Sequence, residues 1–225
     1  MTDTGPDRPD ALFHLSIAPK VGSLPYPGLL LLHGRGSNET DLLSIGPYLD
    51  PRLFVVSARA PFTLMPGSYY WYDLEASLAG RPSSESIQFS LEAVSRFLDQ
   101  IVPAYGLDPS RLFIGGFSMG AAMSAASALM FPDRVAGAIV LSGYLPIHAE
   151  LPYRPQECQG HPIFQGHGTL DDVLPVELGR MTRDYLLRTP VDLTYREYVA
   201  RHEVPPQELT DASEWMRNIL GPQVP

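Results

Sequence analysis

The sequence has one cysteine, Cys158, in 225 residues. An intramolecular disulfide is therefore excluded, and stability does not rest on an oxidising compartment. The surrounding "PQECQG" carries no nucleophile motif, so Cys158 reads as a bystander. Basic clusters are also missing: 16 Lys and Arg stand against 25 Asp and Glu, a formal charge of -9 without a long acidic block. That balance argues against nucleic acid or an anionic membrane as partner, since both attract basic clusters. The charge reads as solubility. No apolar stretch approaches a membrane span; "LLLL" (29–32) is the longest strongly apolar run. Nor does the opening "MTDTGPDRPD" have the basic-then-apolar layout of a signal peptide. Residues 1–10 are read as a flexible tail, the whole of 1–225 as a single domain, and the location as cytoplasmic, without stable membrane insertion.

What the chain does contain is an alternation of two kinds of segment. With 44% hydrophobic and 18% charged residues it can bury a sizeable core. Short apolar runs read as buried strands: "GLLLLH" (28–33), "RLFVVSA" (52–58), "RLFIGG" (111–116), "AGAIVLSG" (136–143), "HPIFQGH" (161–167) and "VDLTYREY" (191–198). Helical spacing appears between most of them. Ile87, Leu91, Val94, Leu98 and Ile101 recur at that period, as do Leu178, Met181 and Leu186. A last helix follows Pro205–Pro206, carries Leu209, Ala212, Met216 and Leu220, and stops at Gly221–Pro222. The pattern predicts an α/β fold, a mainly parallel sheet with helices on both faces. Residues 61–86 show no clear element but hold Tyr69, Tyr70, Trp71 and Tyr72. A loop of that length in a compact domain is usually functional, though its aromatics could equally anchor it to the core.

The stretch "RLFIGGFSMGAAMSAAS" reads as strand, sharp turn and small-residue helix, with Gly116-Phe117-Ser118-Met119-Gly120 at the turn. A G-x-S-x-G elbow holds its serine in a strained conformation and projects the hydroxyl beyond the sheet. Glycines belong there because side chains would strike the neighbouring strand or helix. The helix that follows points its amino end at the serine, which favours developing negative charge.

A serine hydroxyl needs a base, and the base needs a group to orient it. Of six histidines, His14 and His148 lie in segments without a motif, His33 reads as structural and His161 as a surface residue. His167 sits within "HGTLDDVLP", and His202 within "YVARHEVPPQEL", after the last strand. Loops at the carboxyl ends of parallel strands share one rim, so His202 and Ser118 are expected to meet there. "HGTLDDVLP" offers Asp171 and Asp172 as the orienting acid, of which only one can point at His202. "LLLLHGRGSNETDLL" puts Gly34, Arg35 and Gly36 after an early strand, with a helix expected to start at Asn38–Thr40. The backbone N–H groups of Arg35 and Met119 are candidate oxyanion donors. This glycine-rich turn lacks both G-x-G-x-x-G spacing and a Walker lysine, and no zinc-type spacing joins His161, His167 and the aspartates.

Together, "LLLLHGRGSNETDLL", "GGFSMGAAMS", "VLSGYLP", "GHGTLDDVLP" and "RHEVPPQEL" resemble the phospholipase/carboxylesterase family of α/β-hydrolases. The resemblance runs in order from about Leu29 to Leu220. It implies an α/β-hydrolase fold without a large cap domain, and a serine esterase needing no cofactor and no metal. It also implies Ser118 as nucleophile, His202 as base and Asp171 as acid, because the family pattern reads H-G-x-x-D. Arginine at position 35 departs from the apolar residue usual in acyl-protein thioesterases and moves the reading toward a carboxylesterase. With no cap domain expected over the site, the groove is expected to be partly open and to favour short to medium acyl esters. A thioesterase or lysophospholipase would use the same residues; a serine peptidase or a catalytically silent binding module would be further departures. Trp71 and Tyr70 are expected to line the substrate pocket. The expected partner is a small-molecule ester, and homodimer formation is left open.

Overall fold

A computed structural model describes residues 12–75 and 81–222; the expected tail at 1–10 lies outside them. Seven strands form one sheet in the order β1-β3-β2-β8-β9-β10-β11. They are β1 (His14–Ile17), β2 (Tyr26–Leu32), β3 (Phe54–Ala58), β8 (Leu107–Phe117), β9 (Gly137–Leu141), β10 (Pro162–Gly168) and β11 (Asp192–Tyr198). All pairings are parallel except that of β1 with β3. The six strands expected from the apolar runs are all present. β1 was not expected: "HLSI" is short and half-buried, an antiparallel edge with little apolar signal.

Alternation along the strands sorts the core onto two faces. Leu30, Leu32, Val56, Ile114 and Val140 pack with α2 (Ser84–Tyr105) and α3 (Met119–Met130). Leu29, Leu31, Val55, Phe113 and Ile139 face the other way, toward α5 (Pro206–Leu220) and the four-residue α1 (Gly46–Leu49). α4 (Val176–Leu186) packs on β10 and β11. Central strands buried on both faces explain why these segments are continuous apolar runs. At the edge, β11 exposes Asp192 and Arg196, charges that discourage pairing with another chain.

Two expectations are corrected. Residues 61–86 are not without structure: Phe62–Met65 (β4) and Ser68–Tyr70 (β5) form a hairpin, followed by the short pair β6 (Leu74–Glu75) and β7 (Arg81–Pro82). The hairpin turns at Pro66-Gly67, where Gly67 has φ +80°. Proline followed by a left-handed glycine is a type II turn signal, and it was legible in "MPGS". No helix begins at Asn38–Thr40 either. The Asn38 side-chain oxygen accepts from the Thr40 N–H (3.0 Å), so the segment closes an Asx turn before α1.

Glycine is required where α3 crosses β2. A β-carbon on Gly120 would stand 2.0 Å from the carbonyl oxygen of Leu32, and one on Gly116 would stand 2.4 Å from the Gly120 carbonyl carbon. Both obstacles are backbone and cannot rotate aside. All of Met119–Leu129 is buried, and its alanines let α3 lie close against the sheet.

On the opposite face, Gly166 of β10 leaves a notch that the Glu208 side chain fills. Glu208 has no exposed surface, and neither carboxyl oxygen has a partner among the described residues. Burial first, and then repulsion from Asp211, push its pKa up to about 8 from 4.5. The folded protein thus keeps a proton that the unfolded chain releases. The stabilisation this confers is complete below pH 4.5 and is lost as pH rises from there to about 8. Glu208→Gln keeps the shape and does not ionise. Its melting temperature should therefore gain on wild type between pH 5 and 8 and hold that margin at pH 9. A difference that stays constant with pH in thermal melts would refute this account.

Candidate active site

The elbow holds Ser118 at φ +55° and ψ −118°, a left-handed backbone that is costly for a residue with a β-carbon. Its N–H donates to the Leu141 carbonyl (3.0 Å), and its carbonyl accepts from the Ala122 N–H (3.1 Å). β9 on one side and α3 on the other thus hold the strained residue. Gly143, just past β9, lets this packing close, since a β-carbon there would meet that of Ala121 at 2.4 Å.

Ser118 Oγ lies 2.9 Å from His202 Nε2, and His202 Nδ1 lies 2.7 Å from Asp171 Oδ2. The carboxylate accepts, so Nδ1 carries the imidazole hydrogen and Nε2 presents its lone pair to the serine hydroxyl. Asp171 Oδ1 accepts from the N–H groups of Val173 (2.9 Å) and Leu174 (2.8 Å). The Asp171 side chain has no exposed surface, while that of His202 keeps 15%. Phe117 packs its ring 4.8 Å from that of His202.

Two loops must approach closely for this to happen, and their backbone explains how. β10 and β11 continue their ladder past the sheet: Thr169 N–H donates to Tyr198 O (2.7 Å) and Leu170 N–H to Ala200 O (3.0 Å). A β-carbon on Gly168 would stand 2.4 Å from Arg201 O, so glycine is needed there. Asp172, the other candidate acid, points outward into an ion pair with Arg201 (2.6 Å), whose guanidinium holds its carboxyl below the usual range.

The Gly34-Arg35-Gly36 turn lies against the elbow, with Gly34 facing Phe117 and the Ser118 β-carbon. Gly36 N–H donates to Tyr69 O (2.7 Å) and Ser37 N–H to Gly34 O (3.2 Å). Tyr69 N–H donates in turn to Ser37 O (2.8 Å), so the β4–β5 hairpin braces this turn as an added strand would. Met119 is the first residue of α3, where an N–H has no intrahelical acceptor.

Trp71 requires a correction. It was expected to line the pocket, but its side chain is wholly buried and offers no surface to a ligand. Its indole N–H donates to His33 O (2.9 Å), and its backbone N–H approaches Met119 Sδ (3.3 Å). It ties the aromatic segment to both halves of the elbow region. A tryptophan that brings a donor to a carbonyl can be buried; burial is read from neighbours, which the sequence does not reveal. Tyr70 is half-buried and stacks on Phe62, ring centroids 5.3 Å apart. Burial, then a hydrogen bond to Asp73, raise its phenol pKa.

Residues outside these motifs support the site. Glu39 grips Arg59 through two hydrogen bonds of 2.7 Å, and the Arg59 guanidinium lies over the rings of Phe13 (4.1 Å) and Tyr69 (4.4 Å). His33 is buried: Nε2 accepts from Ala60 N–H, and Nδ1 bonds the Gly34 carbonyl. Burial lowers its pKa and keeps the ring neutral. Cys158 is buried away from these groups, its thiol pushed up to about 11 chiefly by desolvation. Among the described residues no cluster of three His, Cys, Asp or Glu could hold a metal ion, and no helix is long and apolar enough to cross a membrane.

Comparison with known proteins places the fold in a family. The phospholipase/carboxylesterase family profile matches residues 23–220. An acyl-protein thioesterase 1 of Candida albicans is 27% identical over 221 residues, covering 90% of this chain and 96% of that protein. A carboxylesterase of Arabidopsis thaliana is 30% identical over 155 residues, 67% of this chain and 68% of that one. Among solved structures, a Bacillus cereus carboxylesterase superposes with a TM-score of 0.79 at 24% identity, covering 91% of this chain and 93% of its own. This chain belongs to the phospholipase/carboxylesterase family, serine hydrolases of the α/β-hydrolase fold.

Proposed function

We propose that the protein is a serine carboxylesterase that hydrolyses short to medium acyl esters through an acyl-enzyme. One observation carries the proposal: the unbroken hydrogen-bonded chain from Ser118 Oγ through His202 to Asp171, at 2.9 and 2.7 Å. Ser118 Oγ attacks the ester carbonyl while His202 Nε2 takes its proton. Asp171 holds the ring in that tautomer and stabilises the imidazolium. The oxyanion forms against the N–H groups of Arg35 and Met119, helped by the amino end of α3. His202 then gives its proton to the departing alcohol oxygen. A water replaces the alcohol, loses a proton to His202 and attacks the acyl carbon. Ser118 leaves with that proton, and the carboxylic acid departs. Tyr70, on the hairpin that braces the oxyanion turn, is the remaining candidate to touch the substrate.

The acyl-protein thioesterase relatives support a second reading with the same residues, in which the bond broken is a thioester. The two differ in the acyl groove. The hairpin exposes Leu64 and Met65, and the loop after β10 exposes Leu170 and Val173, so apolar surface near the site is open to water. Burial of a methylene gains about 0.8 kcal/mol only where water is excluded. An open groove forfeits that gain beyond a few carbons.

Three measurements test the proposal. Ser118 should be the residue labelled by a fluorophosphonate, located by peptide mapping, and Ser118→Ala should abolish both labelling and turnover. Unlabelled Ser118 in folded protein would move the chain to the silent-binding reading.

Asp171→Asn should lower kcat by about 10⁴-fold, because the wrong imidazole tautomer is then favoured. Asp172→Asn removes only an exposed ion pair and should stay within about tenfold. Interchanged results would reassign the acid.

Finally, kcat/KM across p-nitrophenyl esters should peak at short to medium chains, without a jump at micelle formation. A maximum at palmitoyl length, or preference for a palmitoyl thioester, would favour the second reading.

A further inference from the structure

We propose that His167 is a positioning residue for the acid, holding the turn that presents Asp171 to His202. The inference rests on the assignment of Asp171 under the esterase reading above. Alternate side chains of β10 point toward α4, and His167 follows Ile163 and Gln165 on that face. Its ring is completely buried. Nε2 lies 2.8 Å from the Leu174 carbonyl oxygen, and 3.6 Å from Asp171 Oδ2. A carbonyl only accepts, so Nε2 carries a hydrogen and donates it there.

Leu174 is thereby held at both of its backbone groups. His167 takes its carbonyl, and Asp171 Oδ1 takes its N–H at 2.8 Å, beside the Val173 N–H at 2.9 Å. With Oδ1 occupied by two donors, Oδ2 is the oxygen left for His202. The chain of support runs from His167 through Leu174 and Asp171 to His202 and Ser118.

The ring occupies a slot shaped for it. A β-carbon on Gly179 of α4 would stand 2.7 Å from His167 Nδ1 and 3.0 Å from Cγ, so this helix carries glycine where alanine would be the better helix former. Gln165 Nε2 donates to the Gly179 carbonyl at 2.8 Å and fixes that turn of α4 beside the ring. Packing alone does not ask for an imidazole here. His167 Nδ1 has no partner among the described residues, and a buried unpaired nitrogen costs stability that an apolar side chain would not. What the imidazole supplies, and leucine does not, is the bond to Leu174.

The test compares His167→Leu with His167→Gln, whose side-chain amide places an N–H at roughly the reach of Nε2. His167→Leu should lose about 10- to 100-fold in kcat, the range seen when outer hydrogen bonds orienting a metal-bound histidine are removed. KM should change by less than about threefold, since no substrate contact is lost. His167→Gln should recover most of the loss, with both variants melting at similar temperatures. Equal losses in the two, or wild-type kcat in His167→Leu, would overturn the inference. Should His167→Leu not fold, imidazole ¹⁵N NMR of the wild-type protein decides: the neutral ring must carry its hydrogen on Nε2, and a bare Nε2 would overturn the inference as well. Ser118→Ala is run alongside. An inactive Ser118→Ala with a fully active His167→Leu sinks only the positioning role, whereas an active Ser118→Ala sinks the esterase reading beneath it.

Discussion

At the crossing of α3 over β2, the Leu32 carbonyl leaves no room for a β-carbon on either glycine that flanks Ser118. The placement of Ser118 depends on that closeness. It lets the chain turn from strand to helix within a residue, and it leaves Ser118 at the turn in a conformation that a serine in an ordinary loop would leave. The strain is held by two backbone hydrogen bonds and by α3, whose small side chains allow it to bury almost completely. A substitution at Gly116 or Gly120 would therefore act on chemistry and folding together, because the obstacle is backbone.

The other parts of the site reach the elbow by different means, and each is tied by backbone. The loops that carry Asp171 and His202 extend the β10–β11 ladder, with Gly168 allowing them to touch. The Gly34–Gly36 turn is paired to β5, and the hairpin is fixed in turn by Arg59 beneath Tyr69 and by Trp71 on His33. Backbone ties are less sensitive to side-chain exchange than contacts are. That is consistent with a shared architecture at 24% sequence identity to the Bacillus cereus carboxylesterase.

How legible was this in the sequence? The parallel strands announced themselves because each is buried on both faces and so reads as an apolar run, such as "GLLLLH" or "AGAIVLSG". Ser118 and His202 stood out because chain order, loop position and a glycine-rich turn converged on them. Those signals did not choose between Asp171 and Asp172, and Asp171 was favoured only by the resemblance to the family pattern H-G-x-x-D. β1 and the hairpin were missed because a half-buried edge strand has no such run, and because the turn signal "MPGS" lay inside an aromatic cluster. Trp71 was misassigned on the same ground: an aromatic residue on a loop near a site has the same appearance whether it faces substrate or core. Glu39 with Arg59, His167 with Gly179, and Glu208 with Gly166 were invisible for a further reason. Each is a relation between residues distant in sequence, one partner often a glycine whose meaning is the space it leaves.

β10 carries two of these relations, His167 with Gly179 and Gly166 with Glu208. Toward α4 it presents Gln165 and His167, and toward α5 it presents Gly166, whose notch the buried Glu208 carboxyl of α5 fills. A strand buried on both faces would ordinarily be apolar throughout, as β2, β3 and β9 nearly are. Polar groups buried without full partners weaken a fold, so β10 gives up stability along its last residues. Those residues lead directly into the loop of Asp171, and Glu208 lies in the first turn of the helix that follows His202. The incompletely partnered groups thus lie beneath the loops that bring Asp171 to His202, whereas β2, on the other side of the elbow, buries four leucines in a row, Leu29–Leu32.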